Sequence, residues 1–171
     1  MIILTSFKPF SKCGEAQRAA VASWRKYAPA TIFAFGDHED GVKEACKELG
    51  IVNIPTSKIL MESGLPLLDA VVEFSEDHAY DDEVITICSP YITFTQSVKP
   101  IENHFYEHED PLVQAHGIDV FMWKKGFFKR AKIAPPSVAL YDSVYGNWIS
   151  DILRYGRPAM DVTDGLTKPQ D

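Results

Sequence analysis

Thr31-Ile32-Phe33-Ala34-Phe35-Gly36-Asp37 is the stretch that decides the fold. Five β-branched, aromatic or small residues run without a charge and stop at a glycine and a carboxylate. A strand that is apolar on both faces has to be covered on both faces, as in sheets flanked by helices. The sequence on either side supplies the covers. Upstream, Ala16, Ala20, Trp24 and Tyr27 fall at helical spacing and predict a helix over 15–27, closed by Pro29. Before it, Ile2-Ile3-Leu4 reads as a buried strand that ends at Thr5-Ser6. Downstream, Val42, Ala45, Cys46 and Leu49 share one face of a helix over 41–49, which Gly50 stops. Ile51-Val52-Asn53-Ile54 is a third strand, ended by Pro55.

The alternation continues. Leu67, Ala70, Val71 and Phe74 begin a helix, and Val84-Ile85-Thr86-Ile87-Cys88 is a fourth strand stopped by Ser89-Pro90. Strand, helix, strand, helix, strand, helix, strand predicts an α/β protein with a largely parallel central sheet flanked by helices, Rossmann-like in architecture. Such sheets bind ligands outside the carboxyl ends of their strands. Here those ends are Thr5-Ser6, Gly36-Asp37 and Ser89-Pro90-Tyr91. The second half is less regular: a helix or long loop over 101–108, a strand over 120–123, a rigid turn at Pro135-Pro136, a helix over 143–155 and a short strand over 159–162.

Composition narrows the function classes. With 171 residues the chain fits one domain. A hydrophobic fraction of 46% spread along the sequence excludes disorder as the main state. A net charge of −7 argues against a broad grip on a nucleic-acid backbone. One basic stretch stands out: Lys124, Lys125, Lys129, Arg130 and Lys132, interleaved with Phe127 and Phe128. It is either a solvated turn or a local phosphate site. Asp81, Asp82 and Glu83, ahead of the fourth strand, read as a solvated acidic turn. The three cysteines form no Cys-x-x-Cys pair, which argues against zinc. No apolar run is long enough to span a membrane, and Met1-Ile2-Ile3-Leu4 lacks the pattern of a signal peptide. The expected setting is reducing and cytoplasmic. Neither G-x-G-x-x-G, nor G-x-x-x-x-G-K-[ST], nor G-x-S-x-G occurs.

Several short motifs carry more information in their order than alone. Leu4-Thr5-Ser6-Phe7-Lys8-Pro9-Phe10 is followed by Gln17-Arg18-Ala19-Ala20 and Ser23-Trp24, then Phe35-Gly36-Asp37 with Gly41-Val42. Glu62-x-Gly64-x-Pro66-Leu67-Leu68, Gly117-x-Asp119-x-Phe121, Gly126-x-Phe128, Pro135-Pro136, Asn147-Trp148 and Asp161-Val162-Thr163 complete the series. This series resembles bacterial and viral glycosyltransferase-like proteins of the nucleotide-diphospho-sugar transferase (GT-A) superfamily, over almost the whole chain. The resemblance implies a single GT-A-like domain, with 1–92 as the nucleotide-binding half and 93–171 as the acceptor side. It implies a nucleotide sugar and an unknown acceptor as partners. Thr5, Ser6, Lys8, Arg18, Asp37 and Tyr91 are then the nucleotide-site candidates, with Glu62, Gly64, Asn147 and Trp148 on the sugar or acceptor side. At Asp37 a turn or helix-capping role stays open, at Lys8 an exposed turn, and at Arg18 a solvated helix face.

Two departures from the family pattern matter. Where relatives end the fourth strand on a carboxylate that holds a divalent ion, this chain has Tyr91, a poor ligand for a hard cation. Where relatives carry Asp before the Asn-Trp pair, this chain has Gly146. Asp119 and Asp142 are the remaining candidates for an acid–base role, with His116 as an imidazole alternative. No metal ligand set and no cofactor are expected, and at most a weak Mn or Mg dependence. Lys8, Arg18 or a basic side chain of 124–132 would have to balance a leaving diphosphate. Two readings follow: a glycosyltransferase-like protein that binds a nucleotide sugar, or a degenerate, non-catalytic binding module.

Overall fold

The computed structural model describes residues 1–108, 112–115, 119–141, 143–154, 159–161 and 166–167. Four strands run through the first half: β1 (Ile2–Thr5), β2 (Thr31–Phe35), β3 (Val52–Ile54) and β6 (Val84–Cys88). They alternate with helices α1 (Phe10–Tyr27), α2 (Val42–Glu48) and α3 (Leu68–His78). Two short strands, β4 (Met61–Glu62) and β5 (Leu65–Pro66), form a hairpin between β3 and α3. Then come β7 (Thr93–Phe94), α4 (Lys99–Glu107), β8 (Leu112–Ala115), β9 (Val120–Lys124), α5 (Phe127–Ala131), α6 (Ser143–Arg154), β10 (Ala159–Asp161) and β11 (Leu166–Thr167).

The main sheet has seven strands in the order β10-β8-β9-β6-β1-β2-β3. β1 is parallel to β2 and β6, β2 to β3, and β10 to β8, while β9 is antiparallel to both its neighbours. This is the largely parallel α/β sheet that the alternation of elements predicts, with one strand reversed. The reversal decides which residues of the second half meet at each edge of the sheet.

The alternation of side chains splits the core into two layers. Ile3, Trp24, Ile32, Cys88, Phe94 and Met122 pack on the α1 side. Ile2, Leu4, Leu68, Ile87, Trp123 and Tyr145 pack on the α3 and α6 side. All of β1 and β6 is buried, which is why their sequences read as unbroken apolar runs. Trp24 is fully buried and its Nε1 donates to the Ile92 carbonyl at 2.7 Å, tying α1 to the loop after β6.

Several elements differ from the sequence expectations. α1 begins at Phe10, five residues before the periodic stretch, because Phe10 N donates to the Asp40 carbonyl at 2.9 Å and Phe10 stacks edge-on against Phe7. Its buried face includes Gln17 and Val21 beside Ala20 and Trp24. β8, the β4–β5 hairpin, the β7–β11 ribbon and α5 carry too few residues for their periodicity to show. The segment expected as a helix or long loop over 101–108 is helical as far as Glu107, as α4, and the helix starts at Lys99.

Candidate functional site

Parallel pairing brings the carboxyl ends of β1, β2, β3 and β6 to one edge of the sheet. Thr5, Ser6, Asp37 and Tyr91 therefore gather there. Because β9 runs the other way, its first residue meets the last of β6, with Cys88 opposite Val120. Asp119, immediately before β9, reaches the same edge, and its carbonyl accepts from Ser89 N at 2.7 Å. Thr5, Ser6 and Ser89 are buried, and Ser6 Oγ donates to the Phe35 carbonyl at 3.3 Å. Ser6 thus braces the ends of β1 and β2 against each other.

Asp37 is exposed and caps the turn after β3. Its Oδ1 accepts from Thr56 N at 3.0 Å and from Thr56 Oγ1 at 2.6 Å. The Thr56 hydroxyl and amide, with Lys43 nearby, hold its carboxyl below the usual carboxylate value. It is therefore a carboxylate throughout the neutral range. A cleft of about 580 Å³ opens beside it between α2 and β3, with Lys43, Lys47 and Asn53 among its lining residues over Cys46 and Ile51. Burial pushes the Cys46 thiol up to about 11, so it stays protonated and is no nucleophile at neutral pH. Glu62 and Gly64 belong to the β4–β5 hairpin, which folds over the end of β2. A Cβ at Gly64 would stand 3.0 Å from His38 Nε2, and the φ of +79° there also favours glycine. This pair sits beside the Asp37 end of the edge, in the first half of the chain.

The candidate cations separate cleanly. Lys8 is exposed, and its backbone is held at both ends by buried Gln17: Lys8 N donates to Gln17 Oε1 at 2.8 Å, and Gln17 Nε2 donates to Lys8 O at 3.0 Å. Arg18 is engaged elsewhere, in a two-pronged pair with Glu48 at 2.7 and 2.9 Å across from the Phe10 ring. The expectation that the 124–132 stretch could neutralise a diphosphate is not met. Lys124 pairs with Val84, the first residue of β6, so the antiparallel β9 carries the stretch to the opposite edge. There Lys124 faces Asp82 and Lys125 faces Asp81, each at 3.7 Å, and Lys125 Nζ donates to the Ala79 carbonyl at 2.6 Å. The acidic turn and the basic stretch answer each other.

At the end of β6 the donor chemistry does not fit a hard divalent cation. Burial and a hydrogen bond with the Cys13 thiol push the Tyr91 phenol well up, so it stays neutral. Ser89 is buried, and Asp119 is a single carboxylate. No cluster of three His, Cys, Asp or Glu side chains that could hold a metal exists among the described residues. Asn147 is exposed on α6, whereas Trp148 stacks on Phe128 of α5 at 5.7 Å and packs against the core. Asp142 and His116 lie outside the described residues.

The structure adds three residues to this edge that the sequence reading did not single out as site residues: Cys88, Tyr141 and Tyr145. Tyr145 reads in the sequence as one more apolar position of a helix. Tyr141 carries no local signal, since its place follows from the path of a loop.

Numbering the sheet's strands by their order along the chain gives 3-2-1-4-6-5-7 with the sixth reversed. Solved structures that superpose on this chain include glycosyltransferases and nucleotidyltransferases. The chain has the GT-A fold. A mannosyltransferase from Pyrobaculum calidifontis, solved with GDP-Man and Mn2+, superposes with a TM-score of 0.63 at 10% identity, over 95% of this chain and 54% of its own. The glycosyltransferase GlyE of Streptococcus pneumoniae TIGR4 gives 0.57 at 12% identity, over 95% and 45%. An inositol-1-phosphate CTP transferase from T. maritima gives 0.53 at 11%, over 98% and 88%. This chain spans about half the length of the first two. No protein-family model and no curated protein matches it by sequence. No helix among the described residues is long and apolar enough to cross a membrane.

Proposed function

We propose that the chain binds a nucleotide sugar across the carboxyl ends of β1, β2 and β6 and transfers its glycosyl group to an acceptor. The observation that carries this reading is the convergence of Thr5, Ser6, Asp37, Tyr91 and Asp119 at one edge of a GT-A sheet. In this reading residues 1–92 hold the nucleotide and 93–171 the acceptor side. Asp37 accepts a hydrogen bond from the base or ribose. Lys8 balances the diphosphate as it leaves, since Arg18 is held by Glu48 and the basic stretch lies on the far edge. The acceptor oxygen bonds to the anomeric carbon as that carbon's bond to the diphosphate oxygen breaks. Asp119 takes the acceptor proton. The mannosyltransferase neighbour was solved with Mn2+, but no step here runs through a metal, because the donor set at β6 does not fit one. The three cysteines are free thiols, which supports a reducing, cytoplasmic setting.

A thermal-shift panel of nucleotide sugars with Mn2+ or EDTA tests the reading. A ligand at 100 times its dissociation constant stabilises by about 2.7 kcal/mol, or roughly 5–10 °C for a chain of this size. The expected result is a shift with at least one nucleotide sugar that EDTA does not abolish. Lys8→Ala should weaken that ligand by about 10-fold, the order of one charge-assisted contact, whereas Lys125→Ala should leave it unchanged. Strong Mn2+-dependent transfer would refute the metal-free reading.

The second reading, a non-catalytic binding module, is favoured by the neutral Tyr91 where a carboxylate would hold an ion. Binding with neither transfer nor hydrolysis of the donor would support it.

A further inference from the structure

Thr5 Oγ1, Tyr141 Oη and Tyr145 Oη are all buried without a hydrogen-bond partner. Buried polar groups are ordinarily paired, so three orphaned hydroxyls in one place call for a reason. The β1–β6 register pairs Leu4 with Ile87, which sets Thr5 beside Cys88 on the next rung. Cys88 in turn faces Val120, next to Asp119. Tyr141 packs with the α3 and α6 layer and brings its hydroxyl end to this rung at Thr5. Its ring stands edge-on to Tyr145 at 6.1 Å, and its hydroxyl approaches Thr5 Oγ1 without closing a well-formed hydrogen bond. The burial of the three groups is unequal. Thr5, Cys88 and Tyr145 are fully buried, whereas Tyr141 is only half-buried and so is the outermost of the set. Its backbone has φ +66°, a conformation that a bulky residue rarely adopts. The ring packs against the α3 and α6 layer of the core, while its hydroxyl is unpaired and its backbone strained.

We propose that Tyr141 is a displaceable stopper of the strand-end site: its hydroxyl end caps Thr5, on the rung it shares with Cys88, and it turns outward when a ligand's hydroxyls take over Thr5 Oγ1 and Tyr145 Oη. The incoming group is a neutral, hydroxyl-bearing one. Thr5 Oγ1 and Tyr145 Oη are uncharged hydroxyls, each able to donate and accept, and a ligand hydroxyl satisfies both roles. As a control on entry, the stopper rests on the nucleotide-sugar reading above, but its motion is measurable without any nucleotide.

Cys88 is the reporter, and Cys46, on the buried face of α2 beside Ile51, is the control. The protein is treated with methyl methanethiosulfonate, a small neutral thiol reagent, and each cysteine is followed by peptide mass mapping. In Tyr141→Ala, Cys88 should be modified at least about 10-fold faster than in the parent while Cys46 is unchanged, as for a local opening. Tyr141→Phe keeps the ring and should stay within about two-fold of the parent. Should the alanine variant fail to fold, Tyr141→Gly, suited to the positive φ, is read in the same way. An unchanged Cys88 rate overturns the proposal. So does a parallel rise at Cys46, which would make Tyr141 a prop of the whole fold. Faster Cys88 labelling with no thermal shift from any nucleotide sugar keeps the stopper and removes the nucleotide reading. A nucleotide shift with unchanged Cys88 labelling does the reverse.

Discussion

Trp24→Ala is expected to destabilise the protein by about 4–5 kcal/mol, the upper range for deleting a fully buried indole. The side chain has no exposed surface, and it fills the space between α1 and Phe94, whose ring lies 6.3 Å away. Its removal also leaves the Ile92 carbonyl without the Nε1 donor at 2.7 Å. Against a typical total of about 5–15 kcal/mol, this is enough to unfold a large fraction of the molecules. Urea titration should show a lower midpoint with an unchanged slope. Trp24→Phe keeps most of the volume and isolates the lost hydrogen bond, at about 1–3 kcal/mol. A loss below about 2 kcal/mol for the alanine variant would show that α1 packs less tightly on the sheet than described. The effect bears on function as well as stability, because Ile92 follows Tyr91 and the indole anchors the loop at the end of β6.

The second large effect is expected at Gln17. It is fully buried, and its side-chain amide meets both the N–H and the carbonyl of Lys8. Gln17→Leu has nearly the same shape but can neither accept from Lys8 N nor donate to Lys8 O. Two backbone groups would be stranded, at about 2–4 kcal/mol together. The loop after β1 would also lose its register on α1, and with it the placement of Lys8. Nucleotide affinity should then fall by about 10-fold or more even at temperatures where the variant is folded, as a misplaced charge-assisted contact implies. Chemical denaturation measures the first effect and calorimetric titration of the folded variant the second. A destabilised variant that binds as the parent does would show that Lys8 plays no part in the site.

Much of the first half was legible along the chain. β1, β2, β3 and β6 are short runs of apolar and β-branched residues, and each is ended by a polar or helix-breaking residue. α2 and α3 show apolar positions at helical spacing. α1 was read short because Lys8-Pro9 and Gly14 look like loop, yet Pro9 can precede a helix and Gly14 is tolerated inside it beside the Phe10 ring, 3.3 Å from where its Cβ would be. β8 was not read at all: a four-residue strand such as Leu112-Val113-Gln114-Ala115 shows too little periodicity to be told from a loop.

For the site, the sequence placed Thr5, Ser6, Asp37 and Tyr91 correctly at strand ends, because the carboxyl ends of parallel strands share an edge. It could not tell which edge receives the second half. An apolar run such as Val120–Trp123 carries no direction, and direction decides everything there. With β9 antiparallel, Asp119 comes to the strand ends while Lys124 and Lys125 go to the far edge, where Asp81 and Asp82 meet them. Arg18 was likewise a free cation on the helix until folding brought Glu48, 30 residues away, within 2.7 Å. The sequence by itself determined the alternation of strands and helices, hence the class of fold and the edge where the parallel strands end, since those follow from local periodicity and chain-breaking residues. Only the tertiary structure decided the company each side chain keeps at that edge. Pairing direction, register and the path of the loop at Tyr141 arise from contacts between residues far apart in the chain, and no local pattern encodes them.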